Sequence, residues 1–432
     1  MSFKKTFCSS PWFHMRIDSD GSLRYCRGVH KKADELGNRS NIRDISPKSF
    51  FQNTMSTIRT KMLNGGTISG CSYCYEMEEQ NKISPRQKQL LKTGIQIDNF
   101  EKTIKSSPFF SEFESTAKDH GDVNSLPQDW QIDLGNFCNG ACIFCAPRNS
   151  SKLATEFLKL GLIKNLPIKN WVDDPELLQN FISLLEQSKK IVYIHFLGGE
   201  TVITPAFKII LTKLIETGMN KNISIGFTTN LTVWREDIIE LLIKFKEVNL
   251  GMSIECLHEI NDYLRWPSKI EEVKIILEKW LEVARGHQWL VQLRPTPTLF
   301  SIKHLQSLYE YAFEKQIGIE SCNFLNEPEF LKISLLPTEY RQPIIENFKN
   351  WIKSKESFLT HDTIINTRDP NVVKNYLLQD AQSYINYLEN TSEEKHLWPK
   401  LIEYLKKLEQ SRNNSILNYI PEYEKLLRSS GY

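Results

Sequence analysis

"WQIDLGNFCNGACIFC", residues 130–145, puts a short apolar run directly before three cysteines. The run reads as a strand. Cys138, Cys142 and Cys145 then lie just past its C-terminal end, where parallel α/β folds keep their chemistry. Their spacing is C-x3-C-x2-C within eight positions. Thiolates on so short a loop can each take one iron of a [4Fe–4S] cube, and the fourth iron then has no ligand from this loop. Gly135 and Gly140 let the backbone wrap closely. Zinc would ask for a fourth ligand from elsewhere in the chain. A redox pair leaves one cysteine over, and packing alone has no need of thiols so closely spaced. The spacing at a strand end favours iron–sulfur.

Around this loop the chain repeats one pattern. Between 130 and about 327, short apolar runs alternate with amphipathic stretches: "WQIDL", "IVYIHFL", "ISIGFTT", "VNLGMSI", "WLVQL" and "IESCNFL". Thr204-Pro205 and Asp174-Pro175 each place a capping side chain before a first-turn proline. Ser268 and Glu271 predict a capping box ahead of "IEEVKIILEKWLEVA". Six strands alternating with helices imply a parallel sheet, either an incomplete barrel or an open doubly wound sheet. Upstream, "FHMRIDSDGSLRYC" predicts two short strands joined by an Asp-Gly turn, and the helical "SPKSFFQNTMSTIRTKML" stops at Asn64-Gly65-Gly66. Residues 98–127 lack clear periodicity and are expected to be a connector. Beyond 330 the pattern is helical, with apolar stripes at helix period and no chemical motif.

The bulk numbers exclude more than they assign. The chain has 432 residues, 40% apolar and 25% charged, which suits a soluble protein of two or three domains. A formal net charge of +2 gives no bulk signal for nucleic acid. No apolar run is long enough to cross a membrane, and "MSFKKTFCSSPWF" has no signal-peptide core, so a cytoplasmic location is expected. Nine cysteines, an odd number in a reducing compartment, argue against a disulfide framework.

"CNGACIFC", with Phe144 just before the third cysteine, resembles the signature of the radical S-adenosylmethionine (radical SAM) superfamily, and the resemblance covers roughly residues 128–330. It implies a partial (β/α)6 barrel resembling a TIM barrel. It also implies that the open iron is chelated by S-adenosylmethionine, whose reductive cleavage gives a 5′-deoxyadenosyl radical that takes hydrogen from a substrate. "YIHFLGGET" agrees, since Gly198-Gly199-Glu200 resembles the family's Gly-Gly-Glu motif, which meets the amino group of the cofactor. In "MSIECLHEINDYLRWP" the resemblance implies that Ser253 and Glu255 face the ribose and that Arg265 pairs with the carboxylate. Thr229 and Asn230 in "FTTNLT" are then polar groups of the pocket, and "LRPTPTLFSIKHL" lines its mouth. A small electron-donor protein such as flavodoxin or ferredoxin is implied as a partner. The substrate is expected to be a peptide or protein side chain or a small molecule, and no catalytic residue acting on it is named.

Cys8, Cys26, Cys71 and Cys74 form a second group. Four thiolates can close a structural zinc site or hold a fully ligated cluster. "CSSPW", "DGSLRYC" and "CSYCYEMEEQNKISPRQ" resemble the twitch domain, a shortened relative of the SPASM domain, which implies an auxiliary [4Fe–4S] cluster assisting oxidation. In relatives that domain usually follows the barrel, whereas here its cysteines precede it. The expected organisation is an auxiliary-cluster α+β domain over 1–97, a connector over 98–127, the radical SAM barrel over 128–330 and a helical region over 331–432. Arg86, Glu76 and Glu79 are expected on a solvated helix face. Cys256 and Cys322 are expected to be buried, His195 to be a satisfied core histidine and Trp266 to pack. The rival readings are a zinc-stabilised binding module and an iron–sulfur electron carrier that does not use S-adenosylmethionine.

Overall fold

The computed structural model describes residues 6–26, 28, 40–79, 84–167, 169–320, 324–360 and 369–432. Eight strands form one sheet: β1 (His14–Ile17), β2 (Leu23–Arg24), β3 (Asp129–Asp133), β4 (Tyr193–Leu197), β5 (Ser224–Thr229), β6 (Glu247–Met252), β7 (Leu290–Leu293) and β8 (Gly318–Ile319). Their order is β2-β1-β3-β4-β5-β6-β7-β8. Only β1 and β2 are antiparallel. From β3 to β8 the strands follow chain order without reversal, and this decides between the two architectures left open by periodicity. A doubly wound sheet reverses its order at a switch point, whereas a barrel does not.

Helices join these strands: Pro175–Gln187 before β4, Pro205–Glu216 before β5, Glu236–Leu242 before β6, Ile270–Gly286 before β7 and Leu305–Lys315 before β8. Strand alternation sends Trp130, Ile132, Ile194, Phe196, Ile225, Phe227, Val248 and Leu250 into the apolar core, all of them buried. Phe196 packs on Phe207, and Phe227 packs on Phe207 and Trp280 of the helices. The opposite face is polar or small. It carries Gln131, Asp133, His195, Gly226, Thr228, Asn249 and Gly251. Tyr193 Oη and His195 Nδ1 lie 2.9 Å apart over Gly226, where a Cβ would meet them at 2.1 and 2.3 Å. His195 is thus a partnered interior histidine.

The predicted hairpin forms, with Gly21 at φ +85° in its turn. It is not set apart from the barrel. β1 runs parallel to β3 from His14 opposite Asp129 to Ile17 opposite Ile132, extending the barrel sheet across the expected boundaries. Residues 98–127, expected to be an unpatterned connector, carry the helices Phe100–Lys105 and Phe110–Lys118. Phe113 packs edge-on against Phe7 and Trp12, at 5.2 Å from each, and Trp12 Nε1 donates to Thr116 Oγ1 at 3.0 Å. Arg59, fully buried, donates to the carbonyls of Pro11, Phe51, Gln52 and Gly121 and knots this segment to the first helices. The helices are short, and their apolar positions are too few to register as a period.

Helix starts differ from the sequence reading in two places. Asp174 caps Pro175–Gln187 as expected, accepting from Glu176 N and Leu177 N. Thr204 instead turns its hydroxyl back to donate to Glu200 O at 3.0 Å. Ser268 donates to Arg265 O, and the start of Ile270–Gly286 is held by Asp262, which accepts from Ile270 N at 2.6 Å. A carboxylate on the preceding helical turn is the stronger acceptor and displaces the local serine. Beyond β8 the described residues are helical, chiefly Thr338–Ser354, Pro370–Asn390 and Trp398–Arg412. Cys322 lies outside the described residues. No described helix is long and apolar enough to cross a membrane.

Candidate active site at the strand ends

The strand ends converge on one cavity of about 1170 Å³. Each barrel strand supplies a residue at or just beyond its C-terminal end: Asp133, Leu197, Thr229, Ser253, Arg294 and Glu320. The hairpin adds Arg16 from β1. Cys138, Cys142 and Cys145 open onto the same cavity, with Phe144, Gly198, Gly199, Glu200, Asn230 and Arg265.

The cysteine loop takes its path from strand-like alternation. Ala141 and Ile143 are buried, whereas Gly140, Cys142 and Phe144 face the cavity. Ala141 N donates to Trp266 O at 2.6 Å and Ile143 N to Leu264 O at 2.9 Å. Gly140 N–H donates to Cys138 Sγ at 3.4 Å. Burial, then the neighbouring thiolate of Cys142, pushes the Cys138 and Cys145 thiols up to about 12. Three thiols from one short loop, turned to one cavity, are donors that can each take one iron of a [4Fe–4S] cube. The donor set therefore fits the iron–sulfur cluster that the spacing suggests. Among the described residues no three His, Cys, Asp or Glu side chains converge on a point as for a single metal ion.

The glycines of "FLGGE" meet this loop directly. Gly198 has φ +108°, and a Cβ on Gly199 would lie 2.0 Å from Phe137 O. Gly199 N donates to Gly135 O and Glu200 N to Phe137 O, each at 2.8 Å, so the turn is stitched to the segment leading into the cysteines. The Glu200 carboxylate accepts from Asn230 N at 2.5 Å and Val202 N at 3.4 Å. Burial nevertheless pushes it up to about 7. Asn230 donates to Asn139 Oδ1 at 2.9 Å, tying the end of β5 to the loop. A buried ion pair stands opposite. Glu255 Oε1 accepts from Arg265 Nε at 3.0 Å and Nη2 at 2.5 Å, and its Oε2 from Thr296 N at 2.5 Å. Both Glu255 oxygens are therefore engaged behind the wall, while Arg265 reaches the cavity. Its Nη1 lies 4.0 Å from Cys142 Sγ, and its guanidinium lies 5.3 Å from the Phe144 ring centre. Cys256, next in sequence, is buried.

The N-terminal cysteines come together as well. Cys8, Cys26, Cys71 and Cys74 line one cavity of about 50 Å³, with His14 and Arg86. Backbone N–H groups of Ser10 and Gly28 donate to Cys8 and Cys26 Sγ, each at 3.4 Å. Burial, then the other thiolates, raises Cys8 well above its usual value, and burial takes Cys74 to about 11. Four thiols lining one cavity are a donor set that can close a zinc site or hold a cluster. Arg86 corrects an expectation. It is buried, pairs with Glu78 and donates to Phe7 O at 2.8 Å, instead of lying on a solvated face.

Sequence reasoning passed over several wall residues. Asp133, Arg294 and Glu320 carried a signal, since each is a charged residue at a strand's C-terminal end. Arg16 carried none, because nothing local says that the hairpin joins the barrel. Tyr404, on the wall, and Arg412, which touches the cysteine loop without lining the cavity, carried none either. They lie in the helix Trp398–Arg412, yet Tyr404 Oη donates to Ile143 O at 2.6 Å and Arg412 Nη2 to Ala141 O at 2.8 Å.

Residues 132–287 match the family model described as the radical SAM superfamily. No curated protein matches the chain in sequence. Among solved structures the chain is similar to Streptococcus suis SuiB bound to S-adenosylmethionine, at 16% identity over 82% of this chain and 71% of that one, with a TM-score of 0.39. Streptococcus suis SuiB bound to precursor peptide SuiA matches at 15% identity over 82% and 70%, also at 0.39. Native anSMEcpe with bound AdoMet matches at 18% identity over 54% of this chain and 62% of that one, again at 0.39. Over that matched segment, from within β3 to the end of the helix Ile270–Gly286, the chain is similar to the radical SAM superfamily.

Proposed function

We propose that the chain is a radical SAM enzyme in which Cys138, Cys142 and Cys145 hold a [4Fe–4S] cluster with one iron left for S-adenosylmethionine. The observation that carries this reading is the facing of three thiols, the Gly-Gly-Glu turn and Arg265 onto one cavity, with no fourth cysteine among its described lining residues. When bound, cluster and cofactor together supply a 5′-deoxyadenosyl radical that takes hydrogen from a substrate. Arg265, kept charged and oriented by Glu255, offers a planar fork to a carboxylate beside Cys142. Gly199 and Glu200 offer close backbone approach and a carboxylate to an ammonium. Ser253, Asn230 and the Phe144 ring border the remaining cofactor space.

The substrate side supports a polar partner. Arg16, Arg294 and Glu320 set charges of both signs around the cavity, beside the buried carboxyl of Asp133. Lys400 and Glu403 do so from the C-terminal helix. A peptide or protein side chain, or a charged small molecule, is the substrate class. Cys8, Cys26, Cys71 and Cys74 hold an auxiliary [4Fe–4S] cluster that assists oxidation. A small electron-donor protein such as flavodoxin or ferredoxin reduces the enzyme, and the compartment is the cytoplasm.

The test is metal analysis and turnover of anaerobically purified protein. About eight irons and eight sulfides per chain are expected, with 5′-deoxyadenosine formed from S-adenosylmethionine and dithionite. Cys142→Ala should abolish cleavage and retain about four irons in the N-terminal set. Zinc without labile sulfide would instead identify a structural module. Two clusters without deoxyadenosine would identify an electron carrier.

A further inference from the structure

The helix Trp398–Arg412 lies some 260 residues from the cysteine loop in sequence and touches it at two backbone carbonyls. Tyr404 Oη holds Ile143 O and Arg412 Nη2 holds Ala141 O. From the opposite side, Trp266 O and Leu264 O hold the N–H groups of the same two residues. The backbone polar groups of Ala141 and Ile143 are thereby fixed on both sides, and this pins the alternation that turns Cys142 to the cavity. Arg412 is itself aimed. Its Nε and Nη2 grip Glu156 in the helix Ser151–Lys159, which follows the loop, at 2.9 and 2.7 Å. Its guanidinium lies 5.9 Å from the Trp266 ring centre. Tyr404 is walled by Phe330 at 4.9 Å and Phe157 at 5.9 Å. Tyr263 ties the helix again through Glu409 at 3.1 Å.

We propose that this C-terminal helix is a working part of the three-cysteine site, with Tyr404 and Arg412 as positioning residues that set the loop's pitch and Arg412 as a fixed positive charge behind Cys142. The inference rests on the cluster assignment proposed above. Two consequences separate it from a merely structural role. A cation behind a thiolate favours the reduced, more negative cluster, so removing it lowers the potential. Releasing a loop carbonyl lets the loop relax, which alters the spectroscopic signature of the cluster it ligates.

The experiment compares wild type with Arg412→Gln, Arg412→Lys and Tyr404→Phe in a redox titration followed by electron paramagnetic resonance. A Cys71→Ala variant, lacking the N-terminal cluster, serves as the common background so that one signal is read. At a fixed ambient potential, Arg412→Gln should lower the reduced-to-oxidised ratio about tenfold, about 59 mV for a one-electron couple. Arg412→Lys should recover most of that ratio, because the charge returns. Tyr404→Phe should keep the potential near wild type but broaden or shift the signal. An unchanged ratio in Arg412→Gln together with an unchanged signal in Tyr404→Phe would overturn the inference. If the background protein takes up no iron at all, the cluster assignment itself fails. Iron content and circular dichroism identify a variant that has not folded, and Arg412→Lys then carries the test through its signal shape.

Discussion

Asp133 closes β3 and is buried, with Oδ1 accepting from Gly135 N at 3.0 Å. Burial is the largest influence on it and pushes it up to about 7, against the pull of Gly135 N–H and the Arg16 charge. A carboxyl held above its unfolded value near 3.8 binds its proton more tightly in the fold. Its contribution to stability is thus fully present below about pH 4 and is lost as the pH climbs through 7. Asp133→Asn removes that slope at nearly constant volume. Between pH 4 and pH 7.5 wild type should lose roughly 4 kcal/mol relative to the variant, measured by urea unfolding at a series of pH values. A difference that stays flat with pH would mean that Asp133 remains ionised in the fold. The same residue shows what residue-scale reading reaches. The strand-end rule that drew attention to Cys138 applies equally to Asp133, in the same quoted stretch. Its burial, and the arrival of Arg16 beside it, depend on a hairpin more than a hundred residues upstream.

At the scale of elements, legibility followed the length of the repeat. The runs from "WQIDL" to "WLVQL" became β3–β7 because each is a continuous apolar or alternating stretch bounded by helix starts, and Asp174-Pro175 set one start as read; "IESCNFL" meets β8 only at Ile319, and its residues 321–323 lie outside the described residues. The Ser268 start was misread because Asp262, eight residues before Ile270, supplies the cap from a neighbouring turn. The segment 98–127 was illegible because its order comes from tertiary packing. Phe113 finds Phe7, Trp12 and Phe13 only after the chain has turned back on itself. That packing has a measurable consequence. Phe113→Ala should destabilise the protein by about 3–5 kcal/mol in guanidinium unfolding, the cost of a large cavity in a closed aromatic cluster. A true connector would tolerate the change within about 0.5 kcal/mol. The C-terminal helix follows the same rule. Its apolar stripe predicted that it packs, but no periodicity can say that Tyr404 and Arg412 meet the cysteine loop.

Across the whole molecule, one strand joins the two cysteine sets. His14 and Arg16 lie two residues apart on β1, hence on one face. His14 lines the four-cysteine cavity and Arg16 lines the barrel cavity. Other links cross the same seam. Gln128 N donates to Phe13 O at 2.9 Å, Trp171 N to Ser19 O at 3.2 Å, and Arg43 Nη2 to Lys169 O at 2.8 Å. A unit sewn to the barrel by a shared sheet cannot melt by itself without breaking the β1–β3 ladder and exposing the apolar face of β3. Emptying the N-terminal site should therefore weaken the entire fold. Cys71→Ser/Cys74→Ser removes two ligands of the auxiliary cluster proposed above, and calorimetry should record one cooperative transition at a lower temperature. The midpoint falls because binding energy that favoured the folded chain is gone. Because the three-cysteine loop is held by Trp266, Leu264 and the C-terminal helix, the iron proposed for it should stay in place below that transition. A separate early transition, with the original midpoint kept for the remainder, would show that the N-terminal segment folds as an independent domain despite the shared sheet.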